Sequence, residues 1–555
     1  MTIEPSSPRV LILGNIANNG FLNGQILRQA GIQALVWAGD DPYIMSHPTW
    51  ELGDFEVNSD SNHFALDYAG LGIEPAKFPW FFSGPMDLAT QYFISLFEGK
   101  TEDAFNLFCA SDFLMRERHR HEDWSSYIND ILYSGDKPRS QFLEQCGNSY
   151  LEKFPGSNLE HEISALCHSL GSKNKETYGL TFSADWSDLY FERSVPDLQF
   201  WSHKYLSSFP RESCKLDFVS AAESYDQINF GDLAQMDLNF WSGFPDRWRK
   251  IFENCDAIIA TATYGAIPML NGVTNYTCYE HGTIRDLPFL GDGQARLLLL
   301  TYSEAAHIFS TNADVYEQAL YLCSGRSDKI TRLPHAFDER VSLGFQVKDE
   351  PFYSKARLGK LFKRNPNGIE SVTENRKIFA PARHDWSDKG NDIILQAIKK
   401  FQSIGANFEL VFVKWGRDVE RSKAFLEEHK IAEKVRWIEP CSKLKLRKHI
   451  AESFVVLDQF NWSAFGTVTL EALSIGVPVI TRINEQHMLD YFGEIPPVLN
   501  ASESSEIASI LKSIIEDESY RNEVGRASMR WIQKYHSANR FLELQLPVLE
   551  SLWSE

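Results

Sequence analysis

The sequence predicts an α/β protein of two Rossmann-like lobes, and three observations predict it. The chain has 555 residues, more than the roughly 100 to 200 that one core organises. It opens as strand, loop, helix, strand, and after residue 377 it alternates strand and helix with little interruption, the pattern of a parallel sheet covered on both faces. Hydrophobic residues make up 43% and charged residues 23%, and 38 Phe, 20 Tyr and 14 Trp suffice to fill sizeable cores.

In the opening unit the apolar run Val10 to Leu13 reads as a strand and GNIANNG (14 to 20) as a small-residue loop. Phe21 to Ala30 follows as an amphipathic helix and Ala34 to Trp37 as a second strand. Asp40, Asp41 and Pro42 make a turn at the carboxyl end of that strand, the edge where ligands of open sheets lie. From about 85 to 248 the pattern becomes aromatic-rich and helical, which predicts a large insertion. Strands return at 256 to 261, 306 to 310 and 329 to 334, so the first lobe is expected to span 1–343 and to end near Asp338. Residues 344–376 are polar and irregular and read as a linker.

The second lobe, 377–538, has predicted strands at 377 to 382, 408 to 413, 434 to 438, 454 to 458 and 478 to 482. Helices are expected from Lys389 to Ser403, Val419 to Lys430, Ser442 to Ala451 and Gly466 to Ser474. The stretch Ser502 to Trp553 reads as helical throughout, with 539–555 a final helix returning to the first lobe.

A formal charge of −20 speaks against a nucleic-acid partner, because phosphate backbones are held by clustered Lys and Arg. An anionic substrate must then meet a few placed cations and backbone amides. The eight cysteines (Cys109, Cys146, Cys167, Cys214, Cys255, Cys278, Cys323 and Cys441) contain no CxxC pair and read as buried thiols of a reducing compartment. The N-terminus lacks a basic and apolar leader pattern, and the richest apolar run, LLLLTY at 297 to 302, is far short of the roughly 20 residues of a membrane span. The expectation is a soluble, cytoplasmic protein without a transmembrane segment, with peripheral membrane contact left open. The sequons at Asn275 and Asn461 carry no weight in that compartment.

Two segments carry chemistry. In APARHDWSDKGNDIILQA, Arg383 follows a strand and Lys389 stands six residues later at an expected helix start. A diphosphate wants such a set: a planar guanidinium fork, an ammonium and helix amides. An isolated pair of this kind reads equally as two solvated surface cations. In NWSAFGTVTLEALSIGVPVIT a small-residue loop opens a helix whose Gly466, Thr467 and Val468 amides face an anion. Glu471, one turn inside, is placed to accept from ribose hydroxyls, or is a charge on the helix surface.

In this order and spacing the two segments resemble the family-4 group of retaining GT-B glycosyltransferases, which includes sucrose and glycan synthases. LPHAFD (333 to 338), FVKWGRD (412 to 418) and EHGTIRD (280 to 286) are similar to further segments of that family. The resemblance implies a GT-B fold, two lobes facing across a cleft with the donor held mainly by the C-terminal one. It implies that Arg383 and Lys389 hold the donor diphosphate, that Glu471 holds the ribose and that His281 lies beside the transferred sugar. Taken alone, His281 reads as a structural histidine at a strand end. Backbone of Arg436, Trp437 and Ile438 would meet the nucleobase, and Ser463, Phe465, Gly466, Thr467 and Val468 the sugar and phosphate. Lys414 and Gly416 belong to the Gly-containing loop. Gly14, Asn18, Asn19 and Gly20 are read as phosphate or acceptor contacts, in a loop shorter than the family's.

One position departs from the family: Ser463 stands where a second acidic residue is usual. The sugar contact then falls to the Ser463 hydroxyl, to Asp458 or Gln459, or to backbone. No cofactor and no metal is expected, since the sequence shows no ordered metal-ligand motif; the nucleotide sugar is a co-substrate. The expected reaction moves a sugar from a nucleoside-diphosphate sugar, UDP or GDP among them, to an acceptor hydroxyl of a glycan, lipid-linked or small molecule, with retention. The rival from another class is a non-catalytic nucleotide-sugar-binding or assembly protein; a sugar epimerase or phosphorylase of the same fold is a weaker one.

Overall fold

The computed structural model describes residues 7–39, 43–171, 197–209, 214–216, 225–228, 231–239, 247–337, 376–403, 405 and 407–553. The expected turn at Asp40, Asp41 and Pro42 and the expected linker, apart from Arg376, lie outside these residues. The chain forms two compact units, one of Met1–Thr49, Asn62–His335 and Leu542–Glu555, the other of Trp50–Ser61 and Ala336–Phe541.

The second unit is built on strands β10 (Arg376–Ala380), β11 (Phe408–Val413), β12 (Val435–Ile438), β13 (Val455–Leu457), β14 (Val479–Thr481) and β15 (Leu499–Asn500). They lie parallel in the order β12-β11-β10-β13-β14-β15. Such near-continuous apolar strands suit a sheet buried on both faces. The first strand sits in the middle, so the chain winds one way through β11 and β12 and the other way through β13 to β15. The loops leaving β10 and β13 therefore part in opposite directions and open a crevice at the carboxyl edge, the usual ligand position of such sheets.

The first unit repeats the plan. Strands β1 (Arg9–Leu13), β2 (Gln33–Trp37), β3 (Phe81–Phe82), β6 (Ala257–Thr261), β7 (Tyr276–Glu280), β8 (His307–Ser310) and β9 (Ile330–Arg332) lie parallel as β3-β2-β1-β6-β7-β8-β9. Both sheets have the all-parallel, two-way winding of a Rossmann-like α/β architecture. Between β3 and β6 come helices such as Met86–Glu98, Thr101–Glu117 and Asp136–Lys153, with one antiparallel hairpin, β4 (Cys214–Leu216) and β5 (Tyr225–Ile228). Their aromatic residues, including Tyr92, Phe93, Phe105 and Phe108, pack into the core of the unit with Leu11 and Leu35 of the central strands.

Seven cysteines of the described residues are buried free thiols. No helix among the described residues is long and apolar enough to cross a membrane. The stretch expected to be helical throughout from Ser502 is three helices, Ser504–Glu516, Glu518–Tyr535 and Ala538–Trp553. Asp517 breaks the first from the second by accepting from the Tyr520 amide at 2.9 Å, a side-chain cap.

Buried rings give the fold an acid liability. Burial pushes His47 down to about 3 and His384 to about 4, so both stay neutral in the folded state while the unfolded chain protonates them near 6.5. The unfolded state then binds more protons below that pH, and stability falls as pH falls until the folded rings titrate. Urea unfolding between pH 6.5 and 4.5 should show a pH slope in the parent that is steeper than in His47→Gln by about 1.4 kcal/mol per pH unit. Equal slopes would contradict a neutral His47.

Candidate functional site

In the second unit the crevice is lined by the loops after β10 and β13. Asp385 accepts from the Asp388 amide at 3.1 Å and starts a single turn, Trp386–Lys389, which Gly390 ends in a left-handed conformation. Lys389 thus closes a one-turn helix, and the long helix begins only at Asn391; this corrects the expected helix start at Lys389. The Lys389 ammonium donates to Gln459 Oε1 at 2.6 Å, and Gln459 Nε2 donates to the Ala464 carbonyl at 2.6 Å. The Lys389 carbonyl accepts from the Phe460 amide at 3.0 Å, so main chain and side chain both tie the two loops. Arg383 is partly exposed and lies 3.2 Å from Asp388 and 3.6 Å from Asp385. The Gly416 loop packs against the backbone of His384 and the Arg383 side chain.

The amide face at Thr467–Ile475 is smaller than expected. Burial pushes the Asp458 carboxyl up, even though Thr469 Oγ1 donates to it at 2.6 Å and Lys389 and the Thr469 and Gly466 amides favour its charged form. The Gly466 amide is therefore directed at Asp458 rather than at an incoming anion, which leaves Thr467 and Val468 for that purpose. The Ser463 hydroxyl makes no hydrogen bond among the described residues, while its carbonyl accepts from Asn484 at 3.1 Å. Phe465 turns away and packs on Trp531 and Phe492, pinning the loop.

Glu471 is buried, with both oxygens occupied. Arg447 donates to it from Nε at 2.5 Å and from a terminal nitrogen at 2.9 Å, and Lys443 donates at 2.8 Å. Burial opposes its ionisation, but the charges of Arg447 and Lys443 outweigh that cost and hold it well below the usual carboxylate range. It is not a solvated helix-surface charge. Ile438 offers its carbonyl to the Lys414 amide at 2.7 Å. Trp437 packs on His384 and Phe412, Arg436 pairs with Glu409 at 2.7 Å, and Lys414 stands 3.6 Å from Glu439.

In the first unit, the Glu280 carboxylate accepts from the Gly282 and Ile284 amides at 2.6 and 3.0 Å and fixes the turn after β7. That turn presents His281. Asn19 Nδ2 donates to the Ile16 carbonyl at 3.1 Å, which sets the orientation of its amide, and lies 3.1 Å from His281 Nδ1. Nδ1 is then an acceptor. Burial first, and the neighbouring His335 second, hold His281 well below the usual histidine range, with the two rings stacked at 5.4 Å. A neutral ring that accepts at Nδ1 carries its proton on Nε2, and Nε2 is buried with no partner among the described residues.

The other residues of the loop are held by packing and hydrogen bonds. Gly14 has a φ of +90° and abuts Thr261 and Tyr264, Gly20 abuts the Gly14 carbonyl, and the buried Asn18 donates to the Met45 and His47 carbonyls at 3.1 and 3.0 Å. The Asn18 amide therefore ties the loop to the turn at Ile44–Ser46. Lys443, Arg447 and His335 were not among the residues singled out from sequence, and Gln459 was read there only as a sugar contact. Lys443 and Arg447, four apart on one helix, carry the only local signal, a basic face.

Residues 363–531 match the model of the family described as Glycosyl transferases group 1, a stretch that falls within the second unit. No curated protein matches the chain. Among solved structures, HepE of Anabaena in complex with UDP and glucose is 16% identical, covers 58% of this chain and 90% of its own, and has a TM-score of 0.42. Sucrose-phosphate synthase from Thermosynechococcus elongatus is 14% identical over 56% of this chain and 78% of its own, with a TM-score of 0.41. A putative UDP-N-acetylglucosamine 2-epimerase from Listeria monocytogenes is 16% identical over 57% and 78%, with a TM-score of 0.37.

Gly416 tests the packing behind Arg383. Its φ is +108°, and an added Cβ would lie 2.6 Å from the His384 nitrogen and 2.8 Å from Arg383 Cγ. Gly416→Ala should cost about 1–3 kcal/mol in chemical unfolding and weaken nucleotide binding by displacing Arg383. Gly405→Ala, also at positive φ but with nothing within 4 Å, should lose stability alone. Equal nucleotide binding in both variants would remove Gly416 from the site.

Proposed function

We propose that this chain is a retaining, metal-independent glycosyltransferase that moves a sugar from a nucleoside-diphosphate sugar to an acceptor hydroxyl of a glycan, lipid-linked or small molecule. The observation that carries this reading is the Lys389 ammonium held 2.6 Å from the neutral Gln459 amide where the loops after β10 and β13 part. That edge of a parallel sheet is where open α/β folds take their ligands, and an ammonium there is placed to meet a phosphate. Arg383 adds a fork for phosphate oxygens, and the Thr467 and Val468 amides add the positive end of a helix.

The bond that breaks is the one from the anomeric carbon to the diphosphate, whose electrons go to the phosphate oxygen. Arg383 and Lys389 stabilise that growing charge, which matters more in the transition state than in the ground state and so accelerates the step. The acceptor oxygen forms its bond on the leaving-group face, and its proton passes to the departing phosphate. Glu471 is the ribose carboxylate in this reading, Ser463 offers a free hydroxyl in place of the family's acidic residue, and His281 donates from Nε2 to a sugar hydroxyl. A second reading, nucleotide-sugar binding without transfer, is favoured by Ser463 and by the ion pairs that occupy Glu471.

Incubation with UDP-, GDP- and ADP-sugars should release the nucleoside diphosphate from one class; binding without release from any would support the second reading. A nucleoside diphosphate should raise the melting temperature, as any ligand of the folded state does. Arg383→Ala and Lys389→Ala should each weaken that binding about tenfold or more, the weight of a charge-assisted hydrogen bond. An unchanged response in both variants would remove the phosphate assignment. His281→Phe should lower kcat, and the parent's rate should show no ionisation near pH 6.5 that this variant abolishes, because His281 stays neutral. An ionisation that vanishes with the ring would contradict the neutral donor.

A further inference from the structure

Arg383 and Lys389, the cations of the proposed phosphate site, stand at the two ends of one short stretch that is held from two sides. On one side Asn461, in the loop after β13, donates to the Trp386 and Ser387 carbonyls at 2.8 Å each. On the other side stand the Gly416 loop and the helix Val419–Glu428 that follows it. The His384 amide donates to the Trp415 carbonyl and the Asp418 amide to the His384 carbonyl, both at 2.9 Å, and the Trp386 amide donates to Asp418 Oδ2 at 2.8 Å. The Arg421 guanidinium lies over the Trp386 ring, 3.9 Å from its centroid.

Ser422 joins these contacts through a single oxygen. It is fully buried, as is His384, and its Oγ lies 2.9 Å from both the Trp386 indole nitrogen and His384 Nδ1. An indole N–H only donates, so Oγ accepts from Trp386 and has one proton left to place. Were Nδ1 to carry a proton as well, two groups would be stranded: the hydroxyl proton and a bare Nε2, which is buried with no partner among the described residues. With Nδ1 accepting, only the Nε2 proton lacks a partner, and burial favours the arrangement with fewer unmet groups. Ser422 therefore donates to His384 while it accepts from Trp386. The ring and the indole are thereby fixed on either side of Asp385, the residue that caps the Trp386–Lys389 turn.

We propose that Ser422 is a positioning residue of the phosphate site: its one hydroxyl, by holding His384 and Trp386 together, keeps Arg383 and the Lys389 turn where a diphosphate can meet both. This rests on the reading of Arg383 and Lys389 as the phosphate cations. Without the hydroxyl, the indole N–H and Nδ1 are left unmatched inside the fold, and the stretch between the cations rearranges to satisfy them. A displacement on the order of 1 Å is enough to forfeit a hydrogen bond to a phosphate oxygen.

The test is calorimetric titration of the full chain with UDP, GDP and ADP and with the matching nucleosides, which lack the phosphates. The parent should bind its preferred diphosphate more tightly than the nucleoside. Ser422→Ala should lose about fivefold in affinity for the diphosphate and keep its affinity for the nucleoside, so that the ratio of the two narrows. Trp386→Phe keeps an aromatic ring beneath Arg421 and removes the indole N–H at a partly buried position. It should narrow the ratio too, which reads the same link where Ser422→Ala weakens the fold. A merely structural role would lower the melting temperature of both variants and leave the ratio at the parent's value; that result would overturn the proposal, while Arg383→Ala still losing diphosphate affinity would spare the phosphate site. A parent that binds diphosphate no better than nucleoside would overturn the reading of Arg383 and Lys389, and the proposal with it.

Discussion

The hydrogen bond from the Lys389 ammonium to Gln459, which ties the loops after β10 and β13, governs the crevice of the second unit. Lys389 donates to the Gln459 amide, and its charge also favours the ionised form of the buried Asp458 carboxyl. The protein carries a formal charge of −20, and Arg383 already has Asp385 and Asp388 within 4 Å. Gln459 meets the Ala464 carbonyl with its other end, which makes the charge and the loop before the helix Thr467–Ile475 a single assembly.

The buried carboxylates complete that arrangement. Asp458 takes up the Thr469 hydroxyl and the near amides of the helix, and Glu471 is held ionised by two cations. Both are interior groups, and both set the shape of the loop surface more than its charge. The first unit follows a similar logic with different parts. Glu280 holds the turn, Asn19 sets the tautomer of His281, and burial beside His335 keeps the ring neutral, so a donor is aimed from a rigid sheet edge without adding charge.

The sheets were legible because parallel strands carry near-continuous apolar runs, as VLIL in β1 and LVFV in β11 are. Arg383 and Lys389 could be found because their spacing after a strand is a local feature. The end of the short helix at Lys389 was not, since it depends on Asp385 and Gly390 acting together. Nor was the fate of the Gly466 amide, which depends on a carboxylate eight residues away across the strand end. Contacts between distant positions stay silent in a single sequence: Asn19 meets His281 across 262 residues and Glu51 meets Arg447 across 396. Ser463 was legible as a departure, but only the three-dimensional arrangement shows that its hydroxyl is uncommitted while Asp458 is not.

The most direct measurement of the central claim is a crystal structure of the chain grown with the nucleoside diphosphate it binds best. The account predicts the two phosphorus atoms in the crevice between the loops after β10 and β13, with phosphate oxygens in hydrogen-bond reach of the Lys389 ammonium and the Thr467 and Val468 amides. A diphosphate bound at the loop Gly14–Gly20 or elsewhere, with Lys389 still closed on Gln459 and no anion beside it, would contradict it.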